Sequence, residues 1–380
     1  MKKLAVLALV LTLIVSSFAL KAIMVTDTGG LGDKSFNDGT WNGMLQAEEE
    51  LNAEVDYIVS KEQTDYVGNL TNAAQDADVV VAVGFLMADA LFNVAPQFPD
   101  TRFIGIDISP SEGQTVPSNL ALYIFKEEQT TFLAGYLAAS MTKTGTLGYV
   151  GGIEIPPVVR LELGYRAGIK AYNQINNTNI EVITGYSGGF GEPAKGKQMA
   201  MSQYEQGADI IFHAAGATGN GVIDASREVG AEHLGLSTDA NLKEVIDAYY
   251  NTGSGYFSIG VDSDQDYLAP GYVLASAMKR VDQAAFLGIR SARSARAFQS
   301  GLNVLGFNQD GVGLSPMKYT KGLVPSNIFA ELSYLRSIVE EDELVIPDTR
   351  DKFGVFDASD VQFPFWLIIN IRDRLALSLF

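Results

Sequence analysis

The chain predicts an α/β protein made of two doubly wound parallel-sheet lobes, and three observations carry that expectation. Short, continuously apolar runs alternate with longer amphipathic segments. The alternation restarts after about residue 126. Several of the apolar runs end in Asp or Gly where the chain turns. A run that is apolar at every position suits a strand covered on both faces, as in a parallel sheet. Strands alternating with helices give βαβ units.

In the first series, residues 21–26 (KAIMVT) read as a strand ending at Asp27, and residues 36–51 as a helix. Residues 53–59 form a second strand, with a helix near 66–77. Residues 78–83 (DVVVAV) are a strand closed by Gly84, and residues 102–106 (RFIGI) are another, ending at Asp107. The second series opens with a helix over 129–141 and a strand over 145–150 (GTLGYV). A helix over 158–175, a strand over 180–186 and a helix from about Pro193 follow. Residues 208–212 (ADIIF) are a strand leading to a helix from about Gly219. Residues 256–261 (YFSIGV) are a strand ending at Asp262, and 268–287 read as one long helix. The expected division is a targeting segment over 1–19, a first lobe over 20–126 with 283–350 returning to it, a second lobe over 127–282, and an extension over 351–380. Crossings near Lys126 and Arg280 would form a hinge, and lobes of this size are typical domains.

Composition excludes several kinds of chemistry. With 47% hydrophobic residues, 19% charged residues and 38 glycines, the chain has the make-up of a packed globular protein. A formal charge of −18 disfavours nucleic acid or an anionic membrane as a partner. There is no cysteine, so disulfides, thiolate metal sites and cysteine nucleophiles are out. His213 and His233 are the only histidines, too few for most zinc sites, and no cofactor or metal is expected.

Lys2 and Lys3, the apolar residues 4–15 and the Ser17-Phe18-Ala19 triplet have the form of an export signal cleaved after residue 19 or 20. The alternative is an uncleaved anchor, since 4–20 is close to the ~17-residue minimum for a span. Either reading places the protein outside the cytoplasm, periplasmic or extracytoplasmic, with no lipid-anchoring cysteine.

Three motifs invite ligand-binding readings and fail them. Residues 29–35 (GGLGDKS) resemble a phosphate loop, but Asp33 stands between Gly32 and Lys34, where a carboxylate would repel phosphate. Residues 262–266 (DSDQD) resemble the start of a calcium loop, yet Tyr267 and Val273 occupy the positions that require Gly and Glu. Residues 216–221 (GATGNG) are a glycine-rich turn rather than a dinucleotide fingerprint. Neither a nucleophile elbow nor a zinc-protease helix is present. Carboxylate-only chemistry stays open, so the alternative function is a secreted hydrolase acting on a sugar or nucleoside. Asp27, Asp107, Gly216 and Asp262 all fall at strand ends, where doubly wound sheets bind ligands. Each, taken singly, also suits a helix N-cap.

The segment 27–37 (DTGGLGDKSFN) resembles the opening of the basic membrane protein family of substrate-binding proteins, which includes purine nucleoside receptor lipoproteins. The resemblance continues in order through IGID (104–107), QTTFLAGY (129–136), GFGEPAKGK (189–197), FHAAGATGNG (212–221) and IGVDSDQDYLAPGYVLASAMKRVD (259–282). It implies a type I periplasmic-binding fold and nucleoside import through the permease of an ABC transporter, with no catalysis, by a protein expected to be monomeric. It implies that Phe36 and Asn37 contact the base with Asp27 in the same motif, that Asp107 hydrogen-bonds the base, and that Phe190 faces the ring from the other lobe. Gly216, Asp262 and Lys279 would hold the ribose, Lys279 reaching back from the helix after the Asp262 strand. The chemistry is compatible, since aromatic faces stack flat bases and a carboxylate accepts from neighbouring hydroxyls. Three features depart from the family: the missing cysteine, the basic run 290–298 (RSARSARAF), and residues beyond about 352, including the apolar stretch 363–371 (FPFWLIINI), expected to add a strand or an interaction surface.

Overall fold

A computed structural model describes residues 19–364. Nearly all of the targeting segment, and the apolar stretch beyond residue 364, lie outside the described residues.

The first series runs β1 (Lys21–Val25), α1 (Phe36–Leu51), β2 (Glu54–Ile58), α2 (Tyr66–Asp76), β3 (Val79–Val83), α3 (Ala88–Val94), β4 (Arg102–Ile106) and β5 (Leu120–Phe125). The second runs α4 (Glu127–Met141), β6 (Thr146–Gly151), α5 (Pro156–Asn176), β7 (Glu181–Tyr186), α6 (Pro193–Glu205), β8 (Ile210–Ala214), α7 (Ala217–His233), α8 (Leu242–Thr252), β9 (Phe257–Asp262) and β10 (Val273–Lys279). The chain ends with α9 (Val281–Ala292), β11 (Gly301–Leu305), β12 (Val312–Leu314), α10 (Ser326–Glu340) and α11 (Arg350–Val355).

Two six-stranded sheets result, in the orders β11-β5-β4-β3-β1-β2 and β12-β10-β9-β8-β6-β7. The first is parallel throughout. The second is parallel except for β12, which runs antiparallel to β10. The central strands β3, β8 and β9 are buried at every residue, as their unbroken apolar runs require. In each sheet the strand order reverses beside the first strand, β1 or β6, and such a switch point opens a crevice at the carboxyl ends. This is the two-lobed α/β architecture the sequence predicts.

Two expectations are corrected. Residues 268–287 are not one helix: a short helical turn (Asp266–Leu268) leads into β10, and α9 follows. The sequence VLASAMK is rich in helix-favouring residues, but it is sandwiched between β9 and β12, and pairing on both edges overrides propensity. Lys279 is therefore the last residue of a strand, not part of a helix. In addition, only part of 283–350 returns to the first lobe. Helix α9 packs on α1 and β11 pairs with β5, but β12 joins the second sheet and α10 packs against α4.

The chain thus passes between the sheets three times, at Lys126, at Arg280 and over 306–311. The crossings are tied together: Lys126 N–H donates to Leu305 O (2.9 Å), Arg280 N–H to Gly311 O (2.8 Å), and Phe307 N–H to Gln129 Oε1 (2.9 Å). Helix α4, which starts at the first crossing, is buried at every residue except Ser140. Phe363 packs edge-on against Tyr136 and Tyr334, so the extension begins by covering α4 and α10. Among the described residues no helix is long and apolar enough to cross a membrane.

Candidate functional site

Between the facing carboxyl edges lies a cavity with about 590 Å³ of empty space, its mouth included. All eight residues expected from the sequence line it: Asp27, Phe36, Asn37, Asp107, Phe190, Gly216, Asp262 and Lys279. They arrive from separate elements. Asp27 follows β1, Asp107 follows β4 and Asp262 ends β9, while Phe36 and Asn37 open α1. Gly216 is the N-cap of α7 at φ +53°, ψ −133°, a conformation that favours glycine. None of the three aspartates is a helix N-cap residue, so the capping alternative holds only for Gly216.

Lys279 is the electrostatic centre. Its Nζ donates to Asp107 Oδ2 at 2.5 Å and lies 3.5 Å from Asp262 Oδ1, with all three side chains nearly sealed from solvent. Burial alone would pull the ammonium pKa down, but Asp107 and Asp262 outweigh it and hold it above the ordinary lysine range. Burial pushes the Asp262 carboxyl up, and Lys279 and a 2.8 Å hydrogen bond from Ser35 Oγ only partly offset that. The ammonium also stands 4.8 Å from the centre of the Phe36 ring. Asp107 Oδ1, the oxygen not facing Lys279, is buried with no hydrogen-bond partner.

A second polar group surrounds Asn37. Its Nδ2 donates to Asp27 Oδ1 (2.8 Å) and Asp33 Oδ2 (3.2 Å), while its Oδ1 accepts from Asp27 N–H (3.3 Å). Asn37 is thus held by protein partners, and Asp27 also accepts from Gly29 N–H (2.8 Å). Burial pushes the Asp27 carboxyl up, with those bonds pulling against it. Asp33, which blocked the phosphate-loop reading, accepts from the N–H groups of Ser35, Asn37 and Asp38 at 2.8–3.0 Å. It caps the start of α1 from within the loop.

The walls are apolar. Ile155, Pro157, Val158 and Leu161 come from the start of α5, with Phe85 and Leu86 from the loop after β3. The sequence reading missed all of these, because their apolar character is indistinguishable from core packing until the lobes are placed. Phe190 rests on Gly152, where an added Cβ would stand 2.2 Å from the ring. Among the described residues no cluster of three metal-ligating side chains is present. The site can hold a flat, largely apolar body against two aromatic rings and accept hydrogen bonds at its carboxylate end.

Two doubly wound lobes, joined by three crossings and closed over a polar-centred cavity at their strand ends, define a solute-binding protein. The chain belongs to the PnrA-like family of ABC transporter substrate-binding proteins, whose model matches residues 20–341. It is 32% identical over 298 residues to basic membrane protein D of Borreliella burgdorferi, covering 77% of this chain and 78% of that one. It is 30% identical over 300 residues to a protein of Pyrococcus horikoshii described as an uncharacterized lipoprotein, covering 78% and 68% respectively. An ABC transporter solute-binding protein from Aeropyrum pernix K1 superimposes with a TM-score of 0.73 at 27% identity, over 88% of this chain and 95% of that one. The lipoprotein description belongs to the Pyrococcus relative; the 380 residues here contain no cysteine.

Proposed function

We propose that the protein captures a nucleoside, a purine in preference, in this cavity and delivers it outside the cytoplasm to the permease of an ABC importer, as an exported monomer that performs no chemistry on it. The observation that supports a nucleoside most is a cavity lined by Phe36 from one lobe and Phe190 from the other, with Asp107 in its wall and the Asp107 Oδ1 buried without a protein partner. A buried acceptor left empty costs about 1–3 kcal/mol. A solute N–H or O–H would satisfy it while the rings cover a flat base. Four carboxylates against one ammonium favour a neutral solute rich in donors. Asp262, Lys279 and Gly216 are assigned to the ribose, and Phe36, Asn37, Asp107 and Phe190 to the base.

Calorimetry with inosine, adenosine, uridine, the free bases, ribose and galactose tests this. Nucleosides should bind, and Asp262→Ala should weaken them by roughly 1.5–3 kcal/mol while changing free-base binding little. Binding of a simple sugar with no response to nucleosides would overturn the assignment. Chromatography of the same samples addresses the hydrolase alternative: release of free base would establish catalysis.

A further inference from the structure

The three motifs whose ligand readings fail, residues 29–35, 216–221 and 262–266, meet one another across the cleft. Three consecutive carbonyls of the first-lobe loop are each gripped by a second-lobe side chain. Asn220 Nδ2 donates to Asp33 O (3.1 Å), Gln265 Nε2 to Lys34 O (3.1 Å), and Ser263 Oγ to Ser35 O (3.0 Å). The donors come from separate places, the first turns of α7 and the turn after β9. None of the three lines the solute cavity.

Both sides are built for this contact. Gln265 is fully buried, its Oε1 accepts from Val261 N–H (2.9 Å) and its own N–H donates to Ser276 Oγ (3.0 Å). Its amide is thus held with Nε2 pointing at the other lobe. On the opposite side, the Asp33 carboxylate fixes the loop through three N–H groups. Lys34 adopts φ +57°, which few non-glycine residues do and which persists where surroundings hold it.

We propose that residues 33–35 are a closure latch: a strip of backbone that Asn220, Ser263 and Gln265 seize when the lobes meet, keeping a closed population even without solute and slowing solute escape. The latch acts on the cleft assigned above to solute binding, but its operation does not depend on which solute enters. Its hydrogen bonds lie outside the cavity, so it adds closure energy that every solute shares, and selectivity is left to the cavity wall.

The absence of native cysteine allows clean labelling. Thr64→Cys in the first lobe and Ala194→Cys in the second, both exposed, would carry spin labels for distance measurement by double electron–electron resonance. Without solute, the labelled parent should show a population at the distance of the present structure. Asn220→Ala with Ser263→Ala should raise the open-to-closed ratio, about thirtyfold if each bond contributes near 1 kcal/mol. Asn220→Asp, which places an acceptor against the Asp33 carbonyl, should open the lobes as well and guards against a trivial folding defect in the double variant. A solute-free parent with no short-distance population, or variants that keep the parent's distribution, would overturn the latch. The same samples with inosine bear on the assigned solute alone: no response to inosine counts against the nucleoside and leaves the solute-free comparison standing.

Discussion

Asp107 and Asp262 occupy equivalent positions in the two lobes, each just at the end of the third strand from its sheet's outer edge, β4 or β9. They share a rare backbone conformation, φ +61° and +62°, and both turn a carboxylate toward the one ammonium of Lys279. Left-handed φ is uncommon for aspartate in general, and two occurrences at matching strand ends mark these residues as parts of one centre.

Removing the cation should therefore be severe. Lys279→Met would leave Asp107 and Asp262 buried without a counter-charge, and breaking a buried pair from one side typically costs about 3–5 kcal/mol. Urea unfolding should show a lower midpoint and an unfolding free energy reduced by that amount, and adding Asp107→Asn and Asp262→Asn should recover part of it. A loss below about 1 kcal/mol would make the bridge no stronger than an exposed surface pair.

A pH effect follows from the first crossing. Glu127 and Glu128 open α4 side by side, both buried, with Arg160 2.8 Å from Glu127. Burial pushes the Glu127 carboxyl up to about 7. Burial, together with the neighbouring Glu127 charge, pushes Glu128 up to about 8. A carboxyl raised above its unfolded value near 4.5 contributes stability that is fully present at acid pH and is lost as pH climbs through the folded value. Between about pH 4.5 and 8 the folded state holds the proton more tightly, so this contribution declines across that window. Glu128→Gln, which keeps the neutral shape, should exceed the parent in melting temperature at pH 8.5 and approach it at pH 4.5. The free-energy gap should open by on the order of a few kcal/mol. A gap that shrinks as pH rises would contradict the raised carboxyl.

Most of the architecture could be read from the chain because buried parallel strands announce themselves as unbroken apolar runs, as in 79–83. The failures do not share one cause. β10 carries Ala, Ser and Met and looks helical until β9 and β12 pair with it. β5 (LALYIF) was passed over although its apolar run was visible, and α8 although Asn241 and Glu244 form a reciprocal cap at its start. Asp27, Asp107 and Asp262 were legible because carboxylates at strand ends are conspicuous, whereas Asn37 and Lys279 were reached only through the family resemblance. The apolar wall, Val158 and Leu161 above all, was not legible: its function depends on where the second lobe sits. The role of Asp33 was legible only as a negative, since the carboxylate that ruled out phosphate turned out to cap α1 itself.

Phe36 should carry much of any base recognition. It opens α1 and lines the cavity, and its ring lies 4.8 Å from the Lys279 ammonium. Phe36→Ala should weaken nucleosides by roughly 1–3 kcal/mol in calorimetry if stacking here resembles stacking elsewhere. It should also lower ribose binding little, since the assigned sugar contacts come from the second lobe and Lys279. Equal loss for both ligands would place the ring elsewhere than against the base.

Gly152 offers the sharpest test of the opposite ring. It follows β6, and a Cβ there would stand 2.2 and 2.4 Å from two Phe190 ring carbons, closer than any real contact. Phe190 is half-buried at the cavity's edge, so it can swing away without breaking the core. Gly152→Ala should therefore leave the melting temperature close to that of the parent, because φ at this position lies outside the left-handed region that alanine avoids. Nucleoside affinity should fall about as far as in Phe190→Ala, and the double variant should be no worse than either alone, since both changes remove the same ring face. Additive losses in that cycle would mean that Gly152 serves the site by some route other than the seat of Phe190.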